Sequence, residues 1–301
     1  MVAIEHRHPV GDVRDREDAA CGALPAIAFD AHGRIVAEGR APVPLSNPKP
    51  GWFEQEVSDW TGALTRALKQ LTRKIDAGRV AGLAISNQRE TSLLWNRRTG
   101  MPLHNAIVWQ DRRTEALCQQ WREQGVEPLI QQRTGLRLDA YFSATKLRWL
   151  LDHIPGARAQ AQAGELAFGT VDTWLIWQLT GGQSHRTDIS NASRTLLLNI
   201  HTGQWDDELL DLFGIPRAVL PEVHASVADF GRVQTGLLGP GLGPVIGGVA
   251  GDQQSALLGQ ACLQAGEVKN TYGTGCFMLM HTGHSALQSH SGLITTCAAQ
   301  L

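Results

Sequence analysis

Apolar residues recur along this chain in two kinds of pattern, one typical of buried strands and one typical of amphipathic helices. Mainly apolar runs of strand length occur at 26–30, 80–86 and 244–250. Residues 60–75 instead carry a large apolar side chain at every third or fourth position, which predicts a helix with one buried face. Because strands and helices follow each other along the chain, the pattern predicts an α/β fold in which helices cover a sheet.

Turn residues separate the predicted elements. Gly33 lies between the runs 26–30 and 34–38, so these two runs are expected to form a hairpin. A second hairpin is expected at 268–280, near the end of the chain. Further helices are expected at 111–123, with Asp111 as the cap, and at 144–154, 171–179 and 206–213.

The stretch 244–259 has the pattern of a strand, a tight turn and a helix, and Asp252 lies at the turn. A carboxylate in that position is at the carboxyl end of a strand, where open α/β sheets place their ligand crevice. It is also beside the positive end of the following helix. Asp is at the same time among the preferred residues for an N-terminal helix cap. From this stretch alone, a catalytic carboxylate and a simple cap are both open.

Composition narrows the possible functions. The chain has 27 Lys and Arg against 29 Asp and Glu and no long basic run, which argues against a nucleic-acid partner. The five cysteines form no C-x-x-C pair and the histidines no H-x-x-x-H pair, which argues against a disulfide framework and a zinc site. The sequence carries no signal-peptide pattern and no apolar run of membrane-spanning length. We therefore expect a soluble protein of the reducing cytoplasm.

Two short stretches that follow predicted strands are candidates for ligand contact. Arg89 and Glu90 would offer a fork of donors and a pair of acceptors, a combination that suits vicinal hydroxyl groups. Separate surface contacts for these two side chains are the open alternative. Gly273-Thr274-Gly275 would present backbone N–H groups to a phosphate, with a plain hairpin turn as the simpler alternative.

Eight short motifs follow one another along the chain, at 87–91, 105–110, 141–143, 169–177, 187–195, 199–200, 251–254 and 270–278. Together they resemble the motifs of the FGGY carbohydrate kinases, and within that family those of the glycerol kinase branch. The resemblance extends from about Ile27 to the last residue. It implies an actin-like, ribonuclease H-like ATPase fold, an α/β architecture of two related domains with glycerol and ATP in the cleft between them.

The resemblance divides the chain into three parts. Residues 1–25, which show little periodicity and many charges, would be a divergent or disordered N-terminal segment. Residues 26–254 would be the glycerol-binding domain, and 255–301 the start of the ATP-binding domain. The implied reaction is the ATP-dependent phosphorylation of glycerol to sn-glycerol 3-phosphate, with Asp252 as the general base. The family also suggests dimers or tetramers.

The same resemblance assigns residues of this chain to the two substrates. The glycerol hydroxyls are expected to contact Arg89, Glu90, Tyr141, Asp252 and Gln253. Trp109 and Phe277 are expected to flank the carbon backbone of glycerol. Gly273 and Thr274 would face the phosphates of ATP together with Mg²⁺, and no protein side chain is assigned to the metal.

Two departures from the family's pattern leave the activity of this chain open. The family carries a phosphate-binding hairpin of the form Asp-x-Gly-Thr-Thr-Ser-x-Arg, but residues 15–25 contain neither its Gly-Thr-Thr-Ser core nor its arginine. The chain also ends at Leu301, early in the second domain. The alternatives are an active glycerol kinase and a fragment that binds a polyol without turnover. A kinase for another polyol is disfavoured by Arg89 and Glu90.

Overall fold

A five-stranded sheet forms the centre of the fold. The computed structural model describes residues 2–5, 21–239, 241, 243–272 and 276–301. The strands are β1 (Val2–Glu5), β2 (Cys21–Phe29), β3 (Ile35–Pro44), β4 (Glu54–Gln55), β5 (Gly82–Asn87), β6 (Leu93–Asn96), β7 (Ala106–Ile107), β8 (Leu166–Gly169), β9 (Arg186–Asp188), β10 (Leu198–Asn199), β11 (Gln204–Trp205), β12 (Glu222–His224), β13 (Val245–Gly251), β14 (Val268–Tyr272) and β15 (Cys276–Met280). The α-helices are α1 (Val57–Thr72), α2 (Glu115–Glu123), α3 (Glu127–Thr134), α4 (Ser143–His153), α5 (Ala157–Gln162), α6 (Val171–Leu179), α7 (Ile189–Ala192), α8 (Asp207–Phe213) and α9 (Asp252–Gly259).

The central sheet has the strand order β13-β5-β1-β2-β3. β5 is parallel to both β1 and β13, while β2 runs antiparallel to β1 and β3. The hairpin predicted around Gly33 is confirmed as the β2–β3 pair. Because β5 and β13 are parallel neighbours, their last residues, Asn87 and Gly251, lie side by side at one edge of the sheet.

The amino-terminal residues differ from the prediction of an irregular segment over 1–25. β1 is a strand inside the sheet, between β5 and β2, and β2 already begins at Cys21. The prediction is therefore wrong for these two stretches. A strand of four residues is too short to show a periodicity, and its partners are distant in sequence, since Val2 pairs with Ala28 and Leu83. Residues 15–20, part of the place of the expected phosphate-binding hairpin, lie outside the described residues.

Two large apolar cores hold the described elements together. In the first core, α1 packs on β2 and β3 through buried side chains that include Trp60, Leu64 and Leu68. A Cβ added at Gly39 in β3 would lie 2.1 Å from the Ala67 carbonyl oxygen, so only glycine fits against this helix. The second core joins α2, α3, α4, α5 and α8 to β6 and β8. The first core also contains Leu83 and Ile85 of β5 and Ile246 and Val249 of β13, the two strands that carry the candidate site.

Most of the predicted helices are confirmed. The 60–75 pattern corresponds to α1, 144–154 to α4 and 171–179 to α6. In α8, Asp206 caps the first turn by accepting hydrogen bonds from two backbone N–H groups, and Gly214 ends the helix with a φ of 60°. Among the described helices, none combines the length and apolar character that crossing a membrane requires.

Several helices differ from expectation. The helix expected from Asp111 begins instead at Glu115. Asp111 accepts a hydrogen bond from Phe53 N at 2.7 Å and pairs with Arg113 at 2.9 Å, so its carboxylate joins loops rather than capping a helix. α3 and α5 were not expected, because each of them buries only two side chains and so shows no clear apolar periodicity.

Candidate functional site

The parallel strands β5 and β13 bring two charged residues together. Register pairs Gly251 with Asn87, so the residues that follow these strands start from neighbouring points. Arg89 Nε lies 3.1 Å from Asp252 Oδ1, and Arg89 Nη1 donates to Gln254 Oε1 at 3.3 Å. The crevice that the sequence places at the end of β13 therefore also receives the polar residues that follow β5.

Arg89 and Glu90 are buried, with 5% and 1% of their surfaces exposed. The alternative of separate surface contacts is therefore wrong. Burial by itself lowers the pKa of Arg89, but the nearby Glu90, Asp252 and Tyr141 outweigh burial and raise that pKa overall. Arg89 is thus a permanent positive charge between two carboxylates.

Asp252 is the first residue of α9 rather than its N-cap, a position taken by Gly251. Its Oδ1 accepts a hydrogen bond from Gln253 N at 2.8 Å, and its side chain is 32% exposed. Burial raises the pKa of Asp252, Glu90 raises it further, and Arg89 acts in the opposite direction. The result is an accessible carboxylate that accepts a proton more readily than an ordinary Asp.

Glu90 has a backbone conformation that is unusual for a residue with a side chain. Its φ is 63°, in the left-handed region that favours glycine. Its carbonyl oxygen accepts hydrogen bonds from Ser92 Oγ at 2.9 Å and Ser143 Oγ at 3.1 Å. Its side-chain Oε1 accepts one from Arg194 Nε at 2.6 Å. Strain of this kind persists where the surroundings hold the residue from several sides, and it concentrates at functional sites.

Gly251 allows the close approach of Arg89 to the end of β13. A Cβ added at Gly251 would lie 2.6 Å from both Cγ and Cδ of Arg89. The backbone N–H of Gly251 donates to Ser190 Oγ at 2.9 Å, which fixes the strand end against α7. A glycine is therefore required here by the packing of a site residue and not by a turn.

Aromatic side chains lie beside the charged residues. The rings of Trp109 and Tyr141 meet edge to face at 5.6 Å between centroids. Burial, and after it the charge of Glu90, raises the pKa of the Tyr141 hydroxyl, so that Tyr141 stays neutral at physiological pH. Lys146 Nζ donates to the carbonyl oxygens of Ala140 and Tyr141 at 2.6 and 2.7 Å and so fixes the loop that carries the tyrosine.

The β14–β15 hairpin reaches the site through one lysine. Lys269 Nζ donates to Gln253 Oε1, to Thr271 Oγ1 at 2.7 Å and to the Phe277 carbonyl oxygen at 3.4 Å. Since Gln253 Oε1 accepts from a lysine, its amide nitrogen faces Asp252, whose Oδ2 is 3.4 Å away. The ring of Phe277 is half-buried on β15. Gly273 and Thr274, which were expected to face ATP, lie outside the described residues.

Sequence reasoning assigned no role to several residues that build the site. Arg194 and Lys269 contact the candidate residues directly. Arg194 lies inside the motif at 187–195 and Lys269 directly precedes the motif at 270–278, which was the available signal. Below the strand ends, Asn87 and Asn191 exchange two amide hydrogen bonds of 3.0 Å. Asp188 caps α7 and accepts from Ser226 Oγ at 2.7 Å. These contacts between distant segments are invisible to local patterns.

Within the described residues, the site coincides neither with the cavity at the start of α1 nor with a metal cage. A cavity of about 440 Å³ lies between the start of α1 and residues 100–105, and none of the candidate residues lines it. We place the site at its charged side chains. Charged groups that are buried and paired with one another are typical of functional sites. Within the described residues, no group of three or more His, Cys, Asp and Glu side chains is arranged to hold a metal ion.

Comparison with a family model relates most of the chain to known proteins. Residues 18–259 match the model described as the FGGY family of carbohydrate kinases, N-terminal domain. Relatives named glycerol kinase from Paracidovorax citrulli and Acidovorax ebreus are each 60% identical over 286 residues. These alignments cover 94% of this chain but 56% and 57% of the relatives, so the chain spans little more than half their length.

Solved structures agree with the family match. The crystal structure of Plasmodium falciparum glycerol kinase with ADP superimposes with a TM-score of 0.85 at 35% identity, covering 98% of this chain and 57% of that one. Gluconate kinase from Lactobacillus acidophilus superimposes with a TM-score of 0.79 at 24% identity, covering 92% of this chain and 53% of that one. At that identity the second match supports the fold alone.

Proposed function

Because this chain belongs to the FGGY family of carbohydrate kinases, we propose that its site binds glycerol for phosphorylation by ATP to sn-glycerol 3-phosphate. The observation that carries this proposal is the convergence of Arg89, Glu90 and Asp252 at one edge of the sheet. A guanidinium, a buried carboxylate and an accessible carboxylate match a small polyol, whose hydroxyls each donate and accept hydrogen bonds. The relatives named glycerol kinase support the choice of polyol.

In the proposed reaction, Asp252 is the general base. Its accessible carboxylate would accept the proton of the primary hydroxyl, and its raised pKa favours that transfer. Phosphoryl transfer passes through a loose transition state, so the base mainly orients the hydroxyl towards the phosphorus. Asp252 is held for this purpose by Arg89 and by the backbone of Gln253.

The other candidate residues would bind and orient the polyol. Arg89 donates and Glu90 accepts at adjacent hydroxyls, while Tyr141 adds a neutral hydroxyl group. The amide nitrogen of Gln253 would donate, because Lys269 already occupies its oxygen. The rings of Trp109 and Phe277 would flank the carbon backbone of glycerol.

ATP would bind on the side of the β14–β15 hairpin, with Gly273 and Thr274 facing its phosphates. Mg²⁺ would be held chiefly by phosphate oxygens and water. When bound, Mg²⁺ would neutralise charge on the transferred phosphoryl group. We also propose that the polyol-binding part of the chain ends at residue 254 and that 255–301 begins the ATP-binding part. A cytoplasmic location and assembly into a homo-oligomer complete the proposal.

A substrate panel tests the proposal. Saturation-transfer NMR would measure binding of glycerol, xylulose and gluconate to the purified chain, and transfer from ATP would be followed for each. We expect glycerol to bind best and to be the acceptor that is phosphorylated. Glycerol binding without transfer would favour the alternative of a polyol-binding protein without turnover. Preferential binding of either sugar-derived acceptor would contradict the proposal.

A further inference from the structure

Four charged side chains lie in a row across the site, alternating in sign. Asp252 Oδ1 is 3.1 Å from Arg89 Nε, Arg89 Nε is 3.9 Å from Glu90 Oε1, and Glu90 Oε1 is 2.6 Å from Arg194 Nε. Three of the four are almost fully buried, and only the Asp252 side chain reaches solvent to a substantial extent. The row therefore consists of two close pairs joined by one longer contact.

Arg194 is firmly held in this row. It lies just beyond α7, and its backbone N–H donates to the Asn191 carbonyl oxygen at 3.0 Å. Its guanidinium carbon lies 5.0 Å from the centre of the Phe142 ring and 5.8 Å from that of Tyr141. A guanidinium against two aromatic rings has few alternative positions, so Nε stays directed at Glu90.

The distances indicate how the two carboxylates divide the two guanidinium groups. Glu90 follows Arg89 directly in sequence and would compete with Asp252 for it. Coulomb attraction grows as separation falls, and Glu90 is satisfied at the shorter distance by Arg194. Arg89 is therefore left to Asp252. Without Arg194, a buried Glu90 would lack its nearest cation, which is costly enough to draw Arg89 away.

The other nearby cations cannot replace Arg194. Lys146 influences Glu90 electrostatically, but its ammonium group already donates to three carbonyl oxygens, those of Ala140, Tyr141 and Phe142. Lys269 faces Asp252, and its three donors are likewise occupied.

We propose that Arg194 is a positioning residue which holds Glu90 and thereby keeps Arg89 paired with Asp252. The consequence for polyol binding rests on the proposed function. The ion pairing itself does not, and it can be tested without any ligand. Arg194 contacts no reacting atom in this scheme, and its effect on Asp252 passes through Glu90 and Arg89.

Titration of Asp252 in the ligand-free chain is the decisive measurement. Carboxyl ¹³C NMR would follow Asp252 in the parent, in Arg194→Gln and in Arg194→Lys. Losing Arg89 removes stabilisation of the carboxylate, so the pKa of Asp252 should rise in Arg194→Gln by about half a unit or more. Arg194→Lys, which keeps the positive charge but not the planar guanidinium group, should give a smaller rise in the pKa of Asp252. An unchanged Asp252 titration in folded Arg194→Gln would overturn the proposal.

A double variant separates positioning from general damage to the fold. In Glu90→Gln with Arg194→Gln, neither the competing carboxylate nor its cation is present, so Arg89 should return to Asp252. The pKa of Asp252 should then fall to the parent value or below it. A pKa that stays raised in the double variant would contradict the division of guanidinium groups described above.

A matched control is available on α4. Arg148 Nε pairs with Asp152 Oδ2 at 2.6 Å, which is the same type of contact as the one between Arg194 and Glu90. Among the described residues, this pair lies away from the site residues. Arg148→Gln should leave the titration of Asp252 unchanged.

If the Arg194 variants do not fold, scalar couplings across hydrogen bonds in the parent show which guanidinium group is bonded to Glu90. A coupling from Arg194 Nε to the Glu90 carboxyl carbon is expected, and one from Arg89 Nε to that carbon would overturn the proposal.

Glycerol binding is the last arm of the test. Arg194→Lys should weaken glycerol binding by about fivefold or more, and Arg148→Gln should not change it. If the parent chain does not bind glycerol, the proposed function fails while the titration still decides the role of Arg194. Unchanged glycerol affinity in a variant with a raised Asp252 pKa would overturn the link from Arg194 to binding.

Discussion

The two halves of the candidate site are held in different ways. In the sheet-edge half, formed by Arg89, Glu90 and Asp252, charged groups are paired with side chains or backbone of several elements. In the hairpin half, formed by β14 and β15, Lys269 supplies the side-chain hydrogen bond to Gln253. One face of this two-stranded hairpin is exposed and mainly apolar, with Val268, Tyr272, Met278 and Met280 each at least 49% exposed.

The two halves differ in how rigidly they are held before a ligand binds. The sheet-edge half is preorganised, because its hydrogen bonds are buried and its backbone is held in a strained conformation. Within the described residues, the hairpin half contacts the site through the hydrogen bond from Lys269 to Gln253, so changes there are expected to have smaller effects. Variants of both halves test this difference in rigidity.

The largest expected effect is that of removing the proposed base. Asp252→Asn should lower kcat for glycerol phosphorylation by about 100-fold or more, because an amide cannot accept the hydroxyl proton. Glycerol binding should be affected much less, since Asn retains one acceptor oxygen. Initial rates and binding would be measured on the same preparations. A variant with more than half of the parent rate would show that Asp252 is not the base.

A change that crowds the sheet-edge half should come next. Gly251→Ala places a methyl group where Arg89 now lies, so glycerol affinity should fall by about tenfold through displacement of the guanidinium. Gly247→Ala is the matched control in the same strand, because nothing lies within 4 Å of a Cβ at that position. Equal affinities for the two variants would show that the close approach at Gly251 does not matter.

The strain at Glu90 predicts a difference between two substitutions. Both Glu90→Ala and Glu90→Gly remove the carboxylate and should weaken glycerol binding. With its φ of 63°, however, Gly should leave the protein more stable than Ala by about 1 kcal/mol, because glycine adopts left-handed conformations without penalty. Denaturant unfolding of the two variants measures this difference. Equal unfolding midpoints would argue that the backbone at Glu90 is unstrained.

The smallest effect is expected in the hairpin half. Lys269→Met removes the donor that fixes Gln253, so glycerol affinity should fall by about threefold. This loss lies within the net free energy that one hydrogen bond contributes. Lys74→Met serves as the control, since Lys74 donates to the Glu38 carbonyl oxygen outside the site. Calorimetric titration with glycerol compares them. A loss as large as that of Gly251→Ala would mean that the hairpin half is no less critical than the sheet edge.

Several features of the fold and the site could be predicted from local patterns because their causes are local. The apolar spacing of α1, the Asp206 cap and the Gly214 end of α8 each depend on residues within a few positions of one another. The short motifs and their order along the chain were sufficient to identify the family. Asp252 was recognised as a candidate because a strand and a helix meet at that residue in sequence.

The pairing of the charged residues depends on the folded chain. Arg89 and Asp252 meet because β5 and β13 are parallel neighbours, and Glu90 meets Arg194 although 104 positions separate them. The same holds for β1, whose place inside the sheet depends on partners far along the chain. Local spacing determines which face of an element is apolar, whereas ion pairing depends on distances in space that the folded chain alone sets.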